Sequence, residues 1–238
     1  MLLLAFETSA KAASVALFDG EKLLGESYQN TGLTHSQTLM VMAQDLLKQC
    51  GFAPADIHAT AVAAGPGSFT GVRIGVAAAK GFAWGSQIPC YGVSTLESMA
   101  LGLGAFSGTV CPVMDARRSQ VYNALFTAEN GLLTREKEDR AIALAELAQE
   151  LKMAKQPIFL VGDGSELTYR TLKEEVPGLV LPAEGRMHQR AVGVGLAALK
   201  AIARGESGDP EALRPNYLRL SQAEREKMER QGGNGPCC

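Results

Sequence analysis

The eleven residues from Gly65 to Gly75 are the part of this chain whose residue types come nearest to an anion-binding site. They read Gly-Pro-Gly-Ser-Phe-Thr-Gly-Val-Arg-Ile-Gly and follow the apolar segment Ala59–Ala64, which predicts a strand. Glycine allows backbone angles and close approaches that a Cβ forbids. A helix that begins after such a turn presents free N–H groups to an anion. A phosphate-type site is therefore one interpretation of this segment.

The same segment lacks the full form of both common phosphate motifs. No Lys follows Gly71, as the P-loop requires, and the glycine spacing departs by one residue from the dinucleotide fingerprint. A structural role is the alternative, because Gly71, Gly75 and Ala79 recur every four residues. This stripe predicts a helix surface that a second helix can approach closely, and we favour that interpretation. Ser68 and Thr70 then serve as turn and helix-cap residues.

Two carboxylates occupy matching positions in the two halves of the chain. Glu7 and Asp115 each end an apolar strand, and each lies eleven residues before the Phe of an Ala-Leu-Phe run. The match predicts two related halves that face each other. Two-lobed nucleotide-binding proteins such as actin and the sugar kinases place carboxylates there, beside metal-bound water. A nucleotide site here would be degenerate, with the residues Thr8, Ser9, Gly65, Gly67, Ser68 and Asp115.

Metal-dependent and nucleophilic hydrolases are not indicated. The three histidines, His35, His58 and His188, are far apart in the sequence and form no metal-ligand pair. Ser68 does not lie in the G-x-S-x-G pattern of a nucleophile elbow. The five cysteines are odd in number and widely spaced, which predicts buried thiols and an inert Cys237-Cys238 tail rather than a disulfide framework or a zinc site.

Composition predicts an ordinary globular protein. Hydrophobic residues make up 46% of the 238 residues and charged residues 20%, so a sizeable core is available. The formal net charge is −2, which argues against binding nucleic acid without a partner. Neither a signal peptide nor a membrane span is indicated by the sequence, so we expect a cytoplasmic protein with no membrane association.

Periodicity and turn residues predict an α/β fold. The predicted strands are Leu2–Glu7, Ser14–Asp19, Lys22–Gln29, Ala59–Ala64, Ile88–Val93, Val110–Asp115, Ser119–Ala128 and Ile158–Gly162. The predicted helices are His35–Cys50, one from the glycine turn to about Trp84, one from Ser94 or Thr95 to Leu101, Leu144–Met153, Glu166–Glu175, His188–Arg204 and Ser221–Gln231, with Pro210–Arg219 irregular.

Several motifs, in the same order along most of the chain, resemble a known bacterial family. They are Phe6-Glu7-Thr8-Ser9, the Gly65–Gly75 segment, Gly92-Val93-Ser94-Thr95-Leu96, the run Asp115–Tyr122 and Pro215-Asn216-Tyr217-Leu218-Arg219. Together they are similar to the tRNA threonylcarbamoyladenosine biosynthesis proteins TsaB, also called YeaZ. That family usually has Asp where this chain has Glu7, a change that keeps the charge and moves it by one methylene.

The resemblance implies a two-lobed ASKHA fold (actin-like ATPase, ribonuclease H-like) with two related βα halves. We expect an N-terminal lobe over residues 1–103, a C-terminal lobe over 104–213, and a helix with a flexible tail over 214–238. It implies a non-catalytic scaffold that activates the paralogous transferase TsaD in tRNA modification, with the ATPase TsaE in the larger complex. The catalytic paralogue carries an H-x-x-x-H metal pair, and Thr95 and Met99 stand at those positions here.

The resemblance also implies a surface for the partner. The helix His35–Cys50 is apolar on two sides, and one side is expected to pack on TsaD, or on a second copy when the chain is alone. The expected interface residues are His35, Leu39, Met42, Leu46, Arg73, Ile74, Gly75, Ala77 and Ala78.

No tightly bound cofactor, no metal and no catalytic residue is expected, and tRNA is expected to contact the protein only through the complex. Whether a nucleotide binds at the partner interface stays open. The alternative function is a free-standing nucleotide-dependent phosphotransferase of the same fold. Magnesium-dependent ATP binding by the isolated chain would favour that alternative.

Overall fold

The computed structural model describes residues 1–104 and 107–219. The predicted helix Ser221–Gln231 and the Cys237-Cys238 tail lie outside the described residues. The strands are β1 Leu2–Glu7, β2 Ala13–Asp19, β3 Lys22–Gln29, β4 Ala59–Gly65, β5 Cys90–Ser94, β6 Gly108–Asp115, β7 Gln120–Glu129, β8 Leu132–Ala143, β9 Ile158–Val161 and β10 Leu179–Val180. The helices are α1 His35–Cys50, α2 Phe69–Ser86, α3 Thr95–Leu103, α4 Leu144–Leu151, α5 Ser165–Leu172, α6 Glu184–Met187 and α7 Ala191–Ala203, and Pro54–Asp56 forms a 3-10 turn.

The ten strands form two five-stranded sheets with the same connectivity. The first has the order β3-β2-β1-β4-β5, and the second has the order β8-β7-β6-β9-β10 when read from its hairpin side. In both sheets the first three strands of the half are antiparallel, and the next two run parallel to the first. The prediction of two related halves is confirmed, and Glu7 and Asp115 end equivalent strands.

Alternating side chains of the central strands build a separate core on each sheet face. On β1, Leu4 and Phe6 pack beneath α1 and α2, while Leu3 and Ala5 pack beneath α7. The second sheet packs against α4 and α5 on one face and against α3 on the other. Helices α3 and α7 thus form the central layer between the sheets.

The central layer exchanges a helix between the halves. Helix α3 belongs to the first half by chain order, but its Leu96 and Leu103 pack on the second sheet. Helix α7 comes from the second half, and its Val194 packs on the first sheet. The two helices approach closely, because a Cβ at Gly193 would clash with the Ser98 carbonyl oxygen. The two halves are therefore joined by packed helices as well as by the chain.

Two strands, one α-helix and the 3-10 turn were not predicted, and the start of one helix was placed too early. The sequence gives no expectation of β8, β10 or α6. The predicted helix His188–Arg204 begins at Ala191 instead, because Arg190 is extended and its guanidinium bonds to Glu26, with Nε 3.1 Å from Oε2. Ser14 Oγ also accepts the Ala191 N–H at 3.0 Å. No helix over residues 1–104 and 107–219 has the length and apolar character to cross a membrane.

Candidate functional site

A cleft of about 540 Å³ lies between the lobes at the carboxyl ends of the central strands. Of the six residues predicted for a degenerate nucleotide site, Ser9, Gly67, Ser68 and Asp115 line this cleft. The remaining lining residues are Ala10, Lys11, Pro66, Phe69, Thr70, Met114, Ala116, Arg117, Tyr122, Asp163, Asn216, Tyr217, Leu218 and Arg219. The fold thus brings together, around one cleft, predicted residues from three separate segments of the chain.

The other two predicted residues lie behind the cleft wall. Thr8 is buried, and its Oγ1 donates to the Gly71 carbonyl oxygen at 2.8 Å. Gly65 has φ +120°, and a Cβ there would clash with the Asn216 carbonyl oxygen. Both residues shape the backbone of the site rather than face its interior.

The glycine turn is held to the first strand by backbone contacts. The Ser68 N–H donates to the Ser9 carbonyl oxygen at 2.7 Å, and Ser68 Oγ caps α2 by accepting the Gly71 N–H at 3.3 Å. A Cβ at Gly71 would clash with the Thr8 carbonyl oxygen. The small residues therefore let α2 approach the end of a strand. The prediction that a second helix packs against them is wrong for Gly71 and Gly75.

Glu7 is a buried acid at the end of β1, bonded to the cleft-lining residue Ser9. Its Oε1 accepts the Ser9 N–H at 2.6 Å, and its Oε2 has no hydrogen-bond partner within the described part of the chain. Burial, with a smaller contribution from the nearby charge of Asp163, raises the pKa of Glu7 to about 7. The carboxyl therefore changes charge near neutral pH.

Asp163 is a site residue that sequence reasoning missed. It follows β9, accepts a hydrogen bond from Gln189 Nε2 at 3.1 Å, and lines the cleft. Burial raises its pKa, and Asp115 adds to that effect. The run Gly162-Asp163-Gly164 at the end of a buried strand was the available signal. Across residues 1–104 and 107–219, no group of three or more His, Cys, Asp and Glu side chains could hold a metal ion.

An aromatic and cationic group at the cleft mouth was also missed. The rings of Phe69 and Tyr217 stack with centroids 4.7 Å apart. Arg73 Nε donates to Tyr217 Oη at 2.8 Å, and its guanidinium lies 3.8 Å from the Phe69 ring centroid. Arg219 Nη1 donates to the Ala116 carbonyl oxygen at 2.8 Å. The Tyr217 segment comes from 144 residues further along the chain than Arg73, so local spacing gives no sign of the contact.

The three histidines occupy separate places. His35 Nε2 lies 2.8 Å from the Ala10 carbonyl oxygen, and His58 Nδ1 accepts the Leu2 N–H at 3.1 Å. His188 Nε2 lies 2.9 Å from Glu184 Oε1. Each ring thus has a local structural contact.

The residues expected at a partner surface divide into buried and exposed sets. Leu39, Met42 and Leu46 are buried on the side of α1 that faces the first sheet, and Gly75 is buried against Thr8. The prediction that these four residues lie on the surface is therefore wrong. Arg73 and Ala77 are exposed, whereas His35, Ile74 and Ala78 are half-buried. The large apolar side chains that α1 and α2 do expose are Met40, Val41 and Trp84, at 44%, 55% and 57%.

The repeated strand order, the facing sheets and the cleft between them define a two-lobed protein of the ASKHA class. A family model described as TsaD, tRNA N6-adenosine threonylcarbamoyltransferase, matches residues 29–227. A solved structure from Pseudomonas aeruginosa, described as an uncharacterized protein with similarity to peptidase YeaZ, is 31% identical with a TM-score of 0.78. The alignment covers 92% of this chain and 99% of that one.

Two curated relatives place the chain more narrowly. A protein of Bacillus subtilis is 34% identical over 97% of this chain and 100% of its own length. A protein of Escherichia coli is 33% identical over 94% of this chain and 96% of its own length. Both are named tRNA threonylcarbamoyladenosine biosynthesis protein TsaB. The chain belongs to the TsaB family.

Proposed function

We propose that this chain is a non-catalytic subunit in tRNA threonylcarbamoyladenosine biosynthesis, where it binds and activates a TsaD-type transferase. Its relatives carry the name of that pathway, and a transferase family model covers residues 29–227. The chain thus shares its architecture with the enzyme it is proposed to assist. TsaE and tRNA reach it through the assembled complex.

The residue types at the start of α3 carry this proposal. Thr95 and Met99 stand where the catalytic paralogue has its pair of metal-binding histidines, and both are buried. Neither side chain supplies an imidazole, and Met99 packs with Leu96 in the core above the second sheet. The residues present therefore do not fit the transferase metal, and the metal-dependent step belongs to the partner.

The exposed sides of α1 and α2 supply a surface for that partner. Met40 and Val41 lie on α1, and Ala77, Gly81 and Trp84 lie on α2, all exposed. We call these five residues the α1/α2 face. The two helices are neighbours, and their opposite sides are already packed on the first sheet. Small residues admit a close helix, and Met and Trp are enriched at protein interfaces. A second copy of the chain would use the same face when TsaD is absent.

A charge placed on this face tests the proposal. We expect Val41→Glu to weaken binding to the TsaD paralogue at least about tenfold, because an unpaired carboxylate would be buried on docking. Binding is measured by calorimetry, and tRNA modification is measured with TsaE and tRNA present. Leu132→Glu is the matched control, because Leu132 is 74% exposed on the second lobe, away from α1 and α2.

Two results would contradict the proposal. One is unchanged affinity and modification with folded Val41→Glu. The other is transfer activity by this chain alone with its substrates and a transition metal. If Leu132→Glu weakened binding as much as Val41→Glu, the partner would lie on a different surface.

The cleft favours a second candidate, a nucleotide-dependent phosphotransferase. Glu7 and Asp115 end equivalent strands, and the cleft volume of about 540 Å³ is in the range of small-molecule sites. Magnesium-dependent ATP binding by the isolated chain, lost in both Glu7→Gln and Asp115→Asn, would support this candidate. Binding of nucleotide only when TsaD is present would instead support a nucleotide at the subunit interface.

A further inference from the structure

The segment Gly208–Arg219, which we call the strap, runs along the first lobe and reaches the second. It is irregular in backbone, yet its contacts with the first lobe are extensive. The Cys90 N–H donates to the Gly208 carbonyl oxygen at 2.7 Å, and the Asn216 N–H donates to the Ala64 carbonyl oxygen at 2.6 Å. Lys80 Nζ donates to the Leu213 carbonyl oxygen at 3.1 Å. The strap therefore adds hydrogen bonds to the edge and end of the first sheet.

The first sheet is shaped to receive the strap. Leu213 packs against the core beneath α2, and a Cβ at Gly92 would clash with its side chain. A Cβ at Gly65 would clash with the Asn216 carbonyl oxygen, and Gly65 has φ +120°. Glycine at these positions on the neighbouring strands β4 and β5 leaves the space that the strap fills.

The strap next crosses the mouth of the cleft. Tyr217 stacks on Phe69 at the start of α2 and accepts a hydrogen bond from Arg73. Asn216, Tyr217, Leu218 and Arg219 all line the cleft. At its far end, Arg219 Nη1 reaches the Ala116 carbonyl oxygen, which directly follows β6 of the second lobe. The strap thus spans from one lobe to the other.

We infer that the strap is a latch that holds the two lobes at a fixed opening of the cleft, and that Arg219 supplies its contact with the second lobe. The anchors on the first lobe combine backbone hydrogen bonds, apolar packing and ring stacking. The contact of Arg219 with the second lobe is a hydrogen bond to a carbonyl oxygen at a half-buried position. This role is independent of any partner.

Single-molecule energy transfer between the lobes tests the latch. Dyes are placed at Gln37→Cys on α1 and Glu166→Cys on α5, both exposed, in a chain where Cys50, Cys237 and Cys238 are Ser. Cys90 and Cys111 are buried and stay in place. Picomolar dilution keeps copies of the chain apart. We expect a narrow distribution of the distance between the dyes in the labelled chain that keeps Arg219. In the Arg219→Ala variant we expect a broader distribution with a longer mean distance.

Arg214→Ala is the matched control, because Arg214 Nη1 donates to the Leu213 carbonyl oxygen within the strap at 2.9 Å. We expect this variant to match the parent chain. Identical distributions for Arg219→Ala and the parent would overturn the latch. Equal broadening by Arg214→Ala would also overturn it, because the effect would then reflect loosening of the whole strap. Circular dichroism establishes that each variant is folded, and the outcome does not depend on TsaD binding.

Discussion

Glu7 illustrates how a single buried group can link this fold to pH. Its side chain is 1% exposed, and one carboxyl oxygen lacks a partner among the residues that the structure describes. Water stabilises a carboxylate far better than a protein interior does, so the protonated form is favoured in the folded state. The position of this carboxylate at the end of a predicted strand pointed to it in the sequence. Its burial away from water, however, depends on the packing of distant segments.

Replacing Glu7 by Gln should change the pH dependence of stability. The folded pKa of Glu7 is raised from 4.5 to about 7, so the folded state holds more protons than the unfolded state between these values. The contribution to stability is full below pH 4.5 and is lost as pH rises through about 7. One pKa unit corresponds to about 1.4 kcal/mol, so the loss is roughly 3 kcal/mol.

Urea unfolding of the parent and of Glu7→Gln, at about pH 4 and about pH 8, measures this effect. The difference in unfolding free energy should shift in favour of Gln by about 3 kcal/mol across that range. Glu146→Gln, which changes an exposed carboxylate on α4, is the control. A difference that stays constant with pH for Glu7→Gln would show that Glu7 ionises as it would in water.

At the level of elements, the sequence identified helices well and their buried sides poorly. The bounds of α1 were predicted correctly, but its two apolar sides could not be told apart by periodicity. Leu39 and Met42 face the sheet, and Met40 and Val41 face outward. Only the position of the neighbouring β2 and β3 decides between them.

Strand β8 was missed for a related reason. Its twelve residues carry the charged run from Arg135 to Arg140, because it is an edge strand with one face toward solvent. Arg135 pairs with Asp139, four residues along β8, at 2.7 Å, and with Glu97 of α3 at 3.1 Å. Glu97 lies 38 residues earlier in the chain and becomes a neighbour only after folding. A strand with such a run of charged residues lacks the alternation of apolar and polar residues by which strands are predicted from sequence.

Two glycines of α2 should respond to Ala in opposite directions. A Cβ at Gly75 would clash with Thr8 Oγ1, whereas nothing lies within 4 Å of a Cβ at Gly81. Gly75→Ala is therefore expected to lower the unfolding free energy by about 1–3 kcal/mol. Gly81→Ala should raise it by about 0.5–1 kcal/mol, because Ala favours a helix over Gly. Chemical unfolding measures both, and a gain in stability from Gly75→Ala would contradict the packing described for α2.

At the scale of the whole molecule, the repeat was predictable and the helix exchange was not. The paired Ala-Leu-Phe runs indicated two related halves, and the two sheets confirm them. Sequence order alone assigned α3 to the first half and α7 to the second. Each packs on the sheet of the other half, because the apolar pattern of a helix does not say which sheet covers it. The cleft residue Asp163 and the strap contact at Tyr217 depend on the same long-range assembly.

Because of this exchange, we expect both lobes to unfold in one step. Trp84 is the single tryptophan and lies in α2, so its fluorescence reports on the first lobe. Circular dichroism reports on the helices of both lobes. The two signals should give the same urea midpoint and the same slope. An earlier transition in either signal would show that one lobe is stable without the other.

The crossing of α3 and α7 has a practical consequence for how the polypeptide can be divided. A piece ending at residue 104 would bare the alanine-rich sheet surface that α7 covers, and the complementary piece would lack α3. Each piece would therefore carry the missing part of the other. Expressed separately, the two pieces should be insoluble or unfolded, but together they should reassemble without a peptide bond between them, which makes this chain a natural basis for a split-protein reporter.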